Sequence, residues 1–310
     1  VDLIYTNESG KDLGCLKNYT LDLAFGNEEN NFELSVDIYN NMLEKSSILY
    51  VEGTEYGGIV DSLEVDTDRE KIVYYGRTWH GILKNGFIVP DGDYKIVSGN
   101  IKLIIDDIVG KYGFICEDTL LAIDNYEFDR FIDIYDGLLK MLKSIDYTLR
   151  LVFIKGIVKI RLYPIANYYD IEDLENKKAS FKIGDVFNSV NHLICLGVGE
   201  LEQRQIYHLY INGDGEVSEN QFYFGKKEIM NIYENVNSED LRSDGVIELK
   251  KLNLKDTINI DFNSDNNNFN INDIIEVKES ITGVSARKTI VKKIINLNNT
   301  DIDVSYKVGD

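Results

Sequence analysis

Side chains alternate apolar and polar with a period of two at both ends of the chain, while the middle changes to a period near 3.6. Phe32, Leu34, Val36 and Ile38 fall on one face of an extended run at 32–38, the signature of a half-buried strand. Residues 47–53, 57–66 and 70–76 read the same way, and Thr67–Asp68–Arg69 gives the last two a polar hairpin turn. Near the C-terminus, 274–280, 288–297 and 301–309 supply three more strands. A chain patterned like this cannot fold as a helical bundle. It must pair strands and accommodate whatever is inserted between them.

The insertion is mixed. Residues 101–113 place apolar side chains at 101, 104, 105, 108 and 109, a helical face. Phe131, Ile134, Tyr135, Leu138, Leu139, Leu142 and Ile145 make a second stripe, with Asp, Lys and Ser opposite. Residues 149–165 read as two strands around Lys155–Gly156, and 191–199 and 205–224 return to β. Asn212–Gly213–Asp214–Gly215 is a hairpin signal, because Asn and Gly tolerate positive φ. Residues 226–252 carry a helical pattern, expected as two pieces broken near Asn235–Ser238, and the Asn/Asp-rich 261–273 reads as loop. At 310 residues, about two domains are expected. The first and last β portions match in size and character, so two β domains, each with an excursion, are the expected plan.

Acidic residues outnumber basic ones 53 to 33, a net charge of −20. A surface this negative repels phosphate backbones and anionic lipid, which disfavours sequence-specific nucleic-acid readout and membrane binding. It suits a basic partner, or a wall past which nucleic acid must slide. Cys15, Cys116 and Cys195 are scattered and odd in number, so neither a zinc knuckle nor a disulfide framework is expected. No apolar run reaches the ~18–20 residues of a membrane helix. The N-terminal residues lack a basic segment followed by a long apolar one, so no signal peptide is expected; synthesis in the cytoplasm is.

The residues offer little reactive chemistry. His80, His192 and His208 have no metal ligand at helical or loop spacing, and His208 lies within an alternating strand with no evident partner. There is no G-x-S-x-G elbow and no phosphate-binding glycine loop. Asn212–Gly215 fails as a calcium loop, because Tyr210 and Gln221 stand where the first acid and final Glu belong. The chain's one Trp sits in Arg77–Trp79–His80. Gly76 ends a strand there, and Trp79, Ile82 and Leu83 share one side of a short helical excursion. With no nucleophile or metal partner, this stretch reads as a corner of the fold. No cofactor, metal site or catalytic residue is expected.

Three stretches carry a family resemblance. Residues 56–90, YGGIVDSLEVDTDREKIVYYGRTWHGILKNGFIVP, resemble the N-terminal domain of phage tail hub proteins: strand, polar turn, strand ending in Gly76–Arg77, a short excursion with Leu83, and an apolar close at Pro90. Residues 191–252 are similar to the family's strand, Gly-x-Gly-Glu, strand, turn and amphipathic excursion. Residues 270–297 resemble its closing barrel, with Asp273 before a strand and a turn at Thr282–Gly283. The resemblance implies an α+β, mainly β fold. It would have two tail-tube-like β-barrel domains, 1–99 and 184–224 with 254–310, an inserted α+β domain at 100–183 and a helical insert at 225–253. It also implies a non-enzymatic homotrimeric hub joining a sixfold tail tube to a threefold spike. The implied partners are further copies of itself, tube protein, spike protein and other baseplate proteins, within a virion or phage-tail-like particle. Gly76, Arg77, Trp79, Leu83, Pro90, Asn212 and Gly213 are then corner and turn residues. A tail-borne cell-wall hydrolase and an acidic carbohydrate-binding module remain the alternatives.

Overall fold

A computed structural model describes residues 1–40, 43–168, 179–185, 189–253, 256–262, 269–278 and 285–309. The chain divides into two compact units. The first is Val1–Phe181 with Asn259–Lys278 and Arg287–Asp310; the second is Lys182–Ile258 with Glu279–Ala286.

The first unit begins with β1 (Ile4–Thr6), β2 (Asp12–Cys15), β3 (Tyr19–Gly26), β4 (Asn31–Asp37), β5 (Ile48–Tyr50), β6 (Gly57–Asp66) and β7 (Lys71–Thr78). After α1 (Trp79–Lys84) come β8 (Lys95–Asn100), α2 (Ile101–Val109), β9 (Phe114–Cys116), β10 (Ala122–Phe128), α3 (Ile134–Lys143), β11 (Tyr147–Ile154), β12 (Ile157–Pro164) and β13 (Asn167–Tyr168). β14 (Ala179–Asp185) runs from the first unit into the second, which continues with β15 (His192–Leu196), β16 (Ile206–Ile211), β17 (Val217–Ser218), β18 (Met230–Glu234) and α4 (Leu241–Leu252). Next come β19 (Asp256–Phe262), which pairs with β14, then β20 (Ile274–Lys278), β21 (Ser285–Asn298) and β22 (Ile302–Gly309).

One large sheet organises the first unit, in the order β13-β20-β21-β3-β4-β7-β6-β5-β1-β2, with β22 also on β21. Its register explains the period-two pattern. Ile302, Leu297, Leu21, Leu34, Tyr74 and Leu63 stand side by side across six antiparallel strands. The next row is Val304, Ile295, Leu23, Phe32, Gly76 and Val60. The inner members of both rows are buried. Like residues pack directly across a ladder, which is what fixes register when one face is buried. No ladder among the described residues joins β13 or β22 to β2, so the sheet order stays open-ended.

β9, β12 and β11 make a separate three-stranded sheet, and β8 and β10 a two-stranded one. α2 buries Ile101, Ile105 and Val109, and α3 buries Ile134, Tyr135, Leu138 and Leu142, much as their stripes predict. Phe131 departs from its stripe: it lies before α3 at φ +52° and is exposed. Asp133 caps α3 by accepting from the Asp136 amide at 2.9 Å, so the helix cannot reach back to residue 131.

In the second unit the sheet order is β17-β16-β15-β18. α4 lies on its Leu193, Cys195, Leu209 and Ile211 face. A Cβ at Gly245 would stand 2.4 Å from Cys195 Sγ, so only glycine lets this helix sit so close.

Two expectations change. Residues 226–252 are not two helical pieces: after a single 3-10 turn at Gly225–Lys227 the first piece is strand β18, parallel to β15, and only 241–252 is α-helical. Ile229, Ile232 and Tyr233 fall at i, i+3 and i+4, a helical spacing, but pairing with β15 overrode it and left Ile232 exposed. The closing strands, grouped by expectation with 184–224, instead extend the N-terminal sheet, with β21 pairing β3 from Lys292↔Gly26 to Asn298↔Thr20. Strand character alone does not say which edge a strand joins. Residues 263–268 and the turn at Thr282–Gly283 lie outside the described residues.

Candidate functional site

The stretch around the single Trp is built by the end of β7 and by α1. Gly76 is buried, and the Phe32 ring occupies the space where its Cβ would stand. Arg77 points outward and binds Asp61 on β6 with two hydrogen bonds, Nε at 2.8 Å and Nη2 at 2.7 Å. Thr78 caps α1 by accepting from the Gly81 amide. Trp79 and Leu83 are buried, and the Trp79 ring stacks on Phe153 of β11 at 5.1 Å. Pro90 lies in the loop beyond the Phe87–Asp133 bridge. Gly76, Arg77, Trp79 and Leu83 are therefore close together, Pro90 lies further along, and Asn212 and Gly213 belong to the other unit.

His80 leads to a cluster that the sequence reading did not assemble. Its ring stacks on Phe25 at 3.9 Å and meets Tyr135 edge-on at 5.2 Å. Its Nε2 lies 3.8 Å from Glu55 Oε1, and Lys293 Nζ donates to Glu55 Oε2 at 3.2 Å. His80 and Lys293 are 1% and 2% exposed. The ammonium is also within 5.6–5.8 Å of the Phe25, Tyr56 and Tyr306 ring centres, a favourable cation–π distance. Burial, reinforced by the Lys293 charge, holds the His80 pKa well below 6.5, so the ring is neutral. Burial also lowers the Lys293 pKa, against the pull of Glu55. The sequence held one clue: adjacent lysines at 292 and 293 in an alternating strand force one of them onto the inward face.

Such a cluster could transfer protons only if substrate reached it. The two open depressions described, of about 620 and 470 Å³, are lined by residues of 102–121 and 147–163 and touch none of its members. The first is ringed by Glu117, Tyr147, Arg161 and Tyr163, with Arg161 Nε donating to Glu117 at 2.9 Å.

The second unit holds a hydrogen-bonded chain. His192 Nδ1 meets Glu228 Oε1 at 2.7 Å, and His192 Nε2 meets His208 Nδ1 at 2.9 Å. His208 thus has a partner from the neighbouring strand, 16 positions away, which sequence spacing could not reveal. Among the described residues no group of three His, Cys, Asp or Glu side chains could hold a metal ion. Asn212 closes its hairpin by accepting from the amides of Asp214 and Glu216, beside exposed Gly213. No helix among the described residues is long and apolar enough to cross a membrane.

No protein-family profile matches the chain, and no curated protein matches it by sequence. Solved structures do. The 43 kDa tail protein of prophage MuSo2 from Shewanella oneidensis aligns over 100% of this chain and 98% of its own, at 12% identity and a TM-score of 0.51. Prophage tail protein gp18 from Listeria monocytogenes aligns over 100% and 95%, at 12% identity and 0.49. A chain of the phage P2 baseplate aligns over 100% and 99%, at 10% identity and 0.48. The structural neighbours are phage tail and baseplate proteins, and this chain shares its fold, end to end, with the Shewanella prophage tail protein.

Proposed function

We infer that this chain is a structural protein of a phage tail or phage-tail-like particle, acting in the baseplate as a homotrimeric hub between tube and spike. The observation that carries this reading is the end-to-end likeness to a prophage tail protein, 100% of one chain against 98% of the other. The closed packing around His80, Glu55 and Lys293 supports a non-enzymatic role, because these acid–base groups are spent on holding the fold. The corner at Gly76–Leu83 and the hairpin at Asn212–Gly213 are structural on this reading. The −20 charge suits a wall that DNA passes without sticking.

Antibody against this chain should label the distal tail end of purified particles; particles without label overturn the reading. A zymogram on host cell walls should show no clearing, and clearing favours the hydrolase alternative. Matching threefold to sixfold symmetry needs two tube-like modules per chain. An electron-microscopy map of the assembled ring should therefore contain two; finding one refutes the symmetry-matching role.

A further inference from the structure

The large sheet ends in two open edges that complement each other. β5 pairs with β6 only at Gly57–Ile59, and the Ser46 amide reaches Val60. Among the described residues nothing pairs with that side of β6 from Asp61 to Asp66. Leu63 and Val65 belong to the inward rows, beside buried Tyr74 and Ile72, yet are 52% and 47% exposed. Five strands away, β22 pairs only with β21 among the described strands, and its inward row of Ile302, Val304 and Val308 is partly exposed. Each apolar row is therefore buried in the middle and open at an end.

We propose that β6 of one copy of this chain pairs, residues 62–66, with β22 of the next copy, so that the sheet runs on from protomer to protomer. An unpaired strand edge is a template for another strand. The six strands β22-β21-β3-β4-β7-β6 alternate in direction. Being even in number, they leave the two outer strands antiparallel. A copy rotated about an axis along the strands then brings its β22 antiparallel to β6. The contact is heterologous, joining two different edges, and such contacts close into a ring when the rotation between copies closes.

Charge selects the register. The outward row of β6 is Ser62, Glu64 and Asp66; that of β22 is Asp303, Ser305 and Lys307. Like charges directly opposite are destabilising, and unlike charges stabilise. Glu64 opposite Lys307 satisfies both conditions. It places Asp66 opposite Ser305, Val65 opposite Tyr306 and Leu63 opposite Val308, which keeps apolar residues on the inward face. Glu64 opposite Asp303 is excluded. The offset between rows is the stagger that tilted strands need in a closed ring.

The inference rests on the hub reading, and the test separates the two. In the full-length chain with Cys15→Ser, which removes the one exposed thiol, E64C/K307C should cross-link under mild oxidation to a species of three chain masses. E64C, K307C and E64C/D303C should not. Light scattering on the uncross-linked protein reports the assembly independently. A three-chain mass without that disulfide, or with equal cross-linking in E64C alone, overturns the edge pairing and leaves the hub standing. E64C/K307C cross-links that run past three chains support the pairing and refute the threefold ring. A single-chain mass with no cross-link refutes both.

Discussion

Removing the Glu55 carboxylate should cost the first unit about 3–5 kcal/mol, the penalty for breaking a buried ion pair. Glu55 and Lys293 are both buried, with Nζ and Oε2 3.2 Å apart. At an effective dielectric of about 20, charges at that separation attract by about 5 kcal/mol. The three rings around Nζ are in place before and after Glu55→Ala, so they do not replace what the carboxylate supplied. The loss stays large because the ammonium remains out of water. Removing both charges, Glu55→Leu with Lys293→Met, should leave stability within about 1–2 kcal/mol of wild type, because a well-packed apolar replacement spares both desolvation costs. Urea titration followed by Trp79 fluorescence is the assay. The only Trp is buried in the first unit, stacked on Phe153, and reports that unit alone. A single-variant loss below about 1 kcal/mol, or a double variant as unstable as the single one, refutes the idea that the pair acts as a buried charge couple.

Three more outcomes follow from the same region. His80 is neutral when folded and has a pKa held well below 6.5, so the unfolded chain binds the extra proton. Stability should fall as pH drops below about 6.5, by up to about 1.4 kcal/mol per pH unit from this group; His80→Phe should flatten that acid limb in pH-dependent urea titrations, and an unchanged slope counts against it. Gly76→Ala should destabilise by about 1–3 kcal/mol, because its Cβ would meet Ile59 O at 2.1 Å and the Phe32 ring at 2.4 Å; a thermal midpoint equal to wild type is the contrary result. Arg77→Ala should cost only about 0.2–1 kcal/mol despite its two hydrogen bonds to Asp61, because both side chains are solvent-exposed; a loss above about 2 kcal/mol in the same titration would give the pair a role this geometry does not supply.

The acid–base groups of this chain show how burial turns potential chemistry into architecture. His80, Glu55 and Lys293 come from α1, the loop before β6 and β21, and are as much as 238 residues apart. They meet where α1 crosses the inward face of the sheet. Lys84 fastens the far end of α1 to the start of α3, bonding Asp136 at 2.6 Å with Asp133 at 3.6 Å. α1 is six residues long, too short to be stable alone, and tertiary contacts of this kind keep it folded.

Sequence alone determined the local structure wherever one face of an element is buried. The alternation at 57–66 and 70–76, the stripes of α2 and α3, and the hairpins at Lys155–Gly156 and Asn212–Gly215 are dictated by which side chains must leave water and which turns tolerate positive φ. Sequence order does not encode which strand edges meet. β21 carries the same alternation whether it joins β3 or β16, and β18 carries a helical spacing that its ladder with β15 overrides. Only the tertiary structure decided those pairings, and with them the burial of Lys293 against Glu55 and the joining of His192 to His208. Each depends on register between separate strands, where packing across strands outweighs local preference.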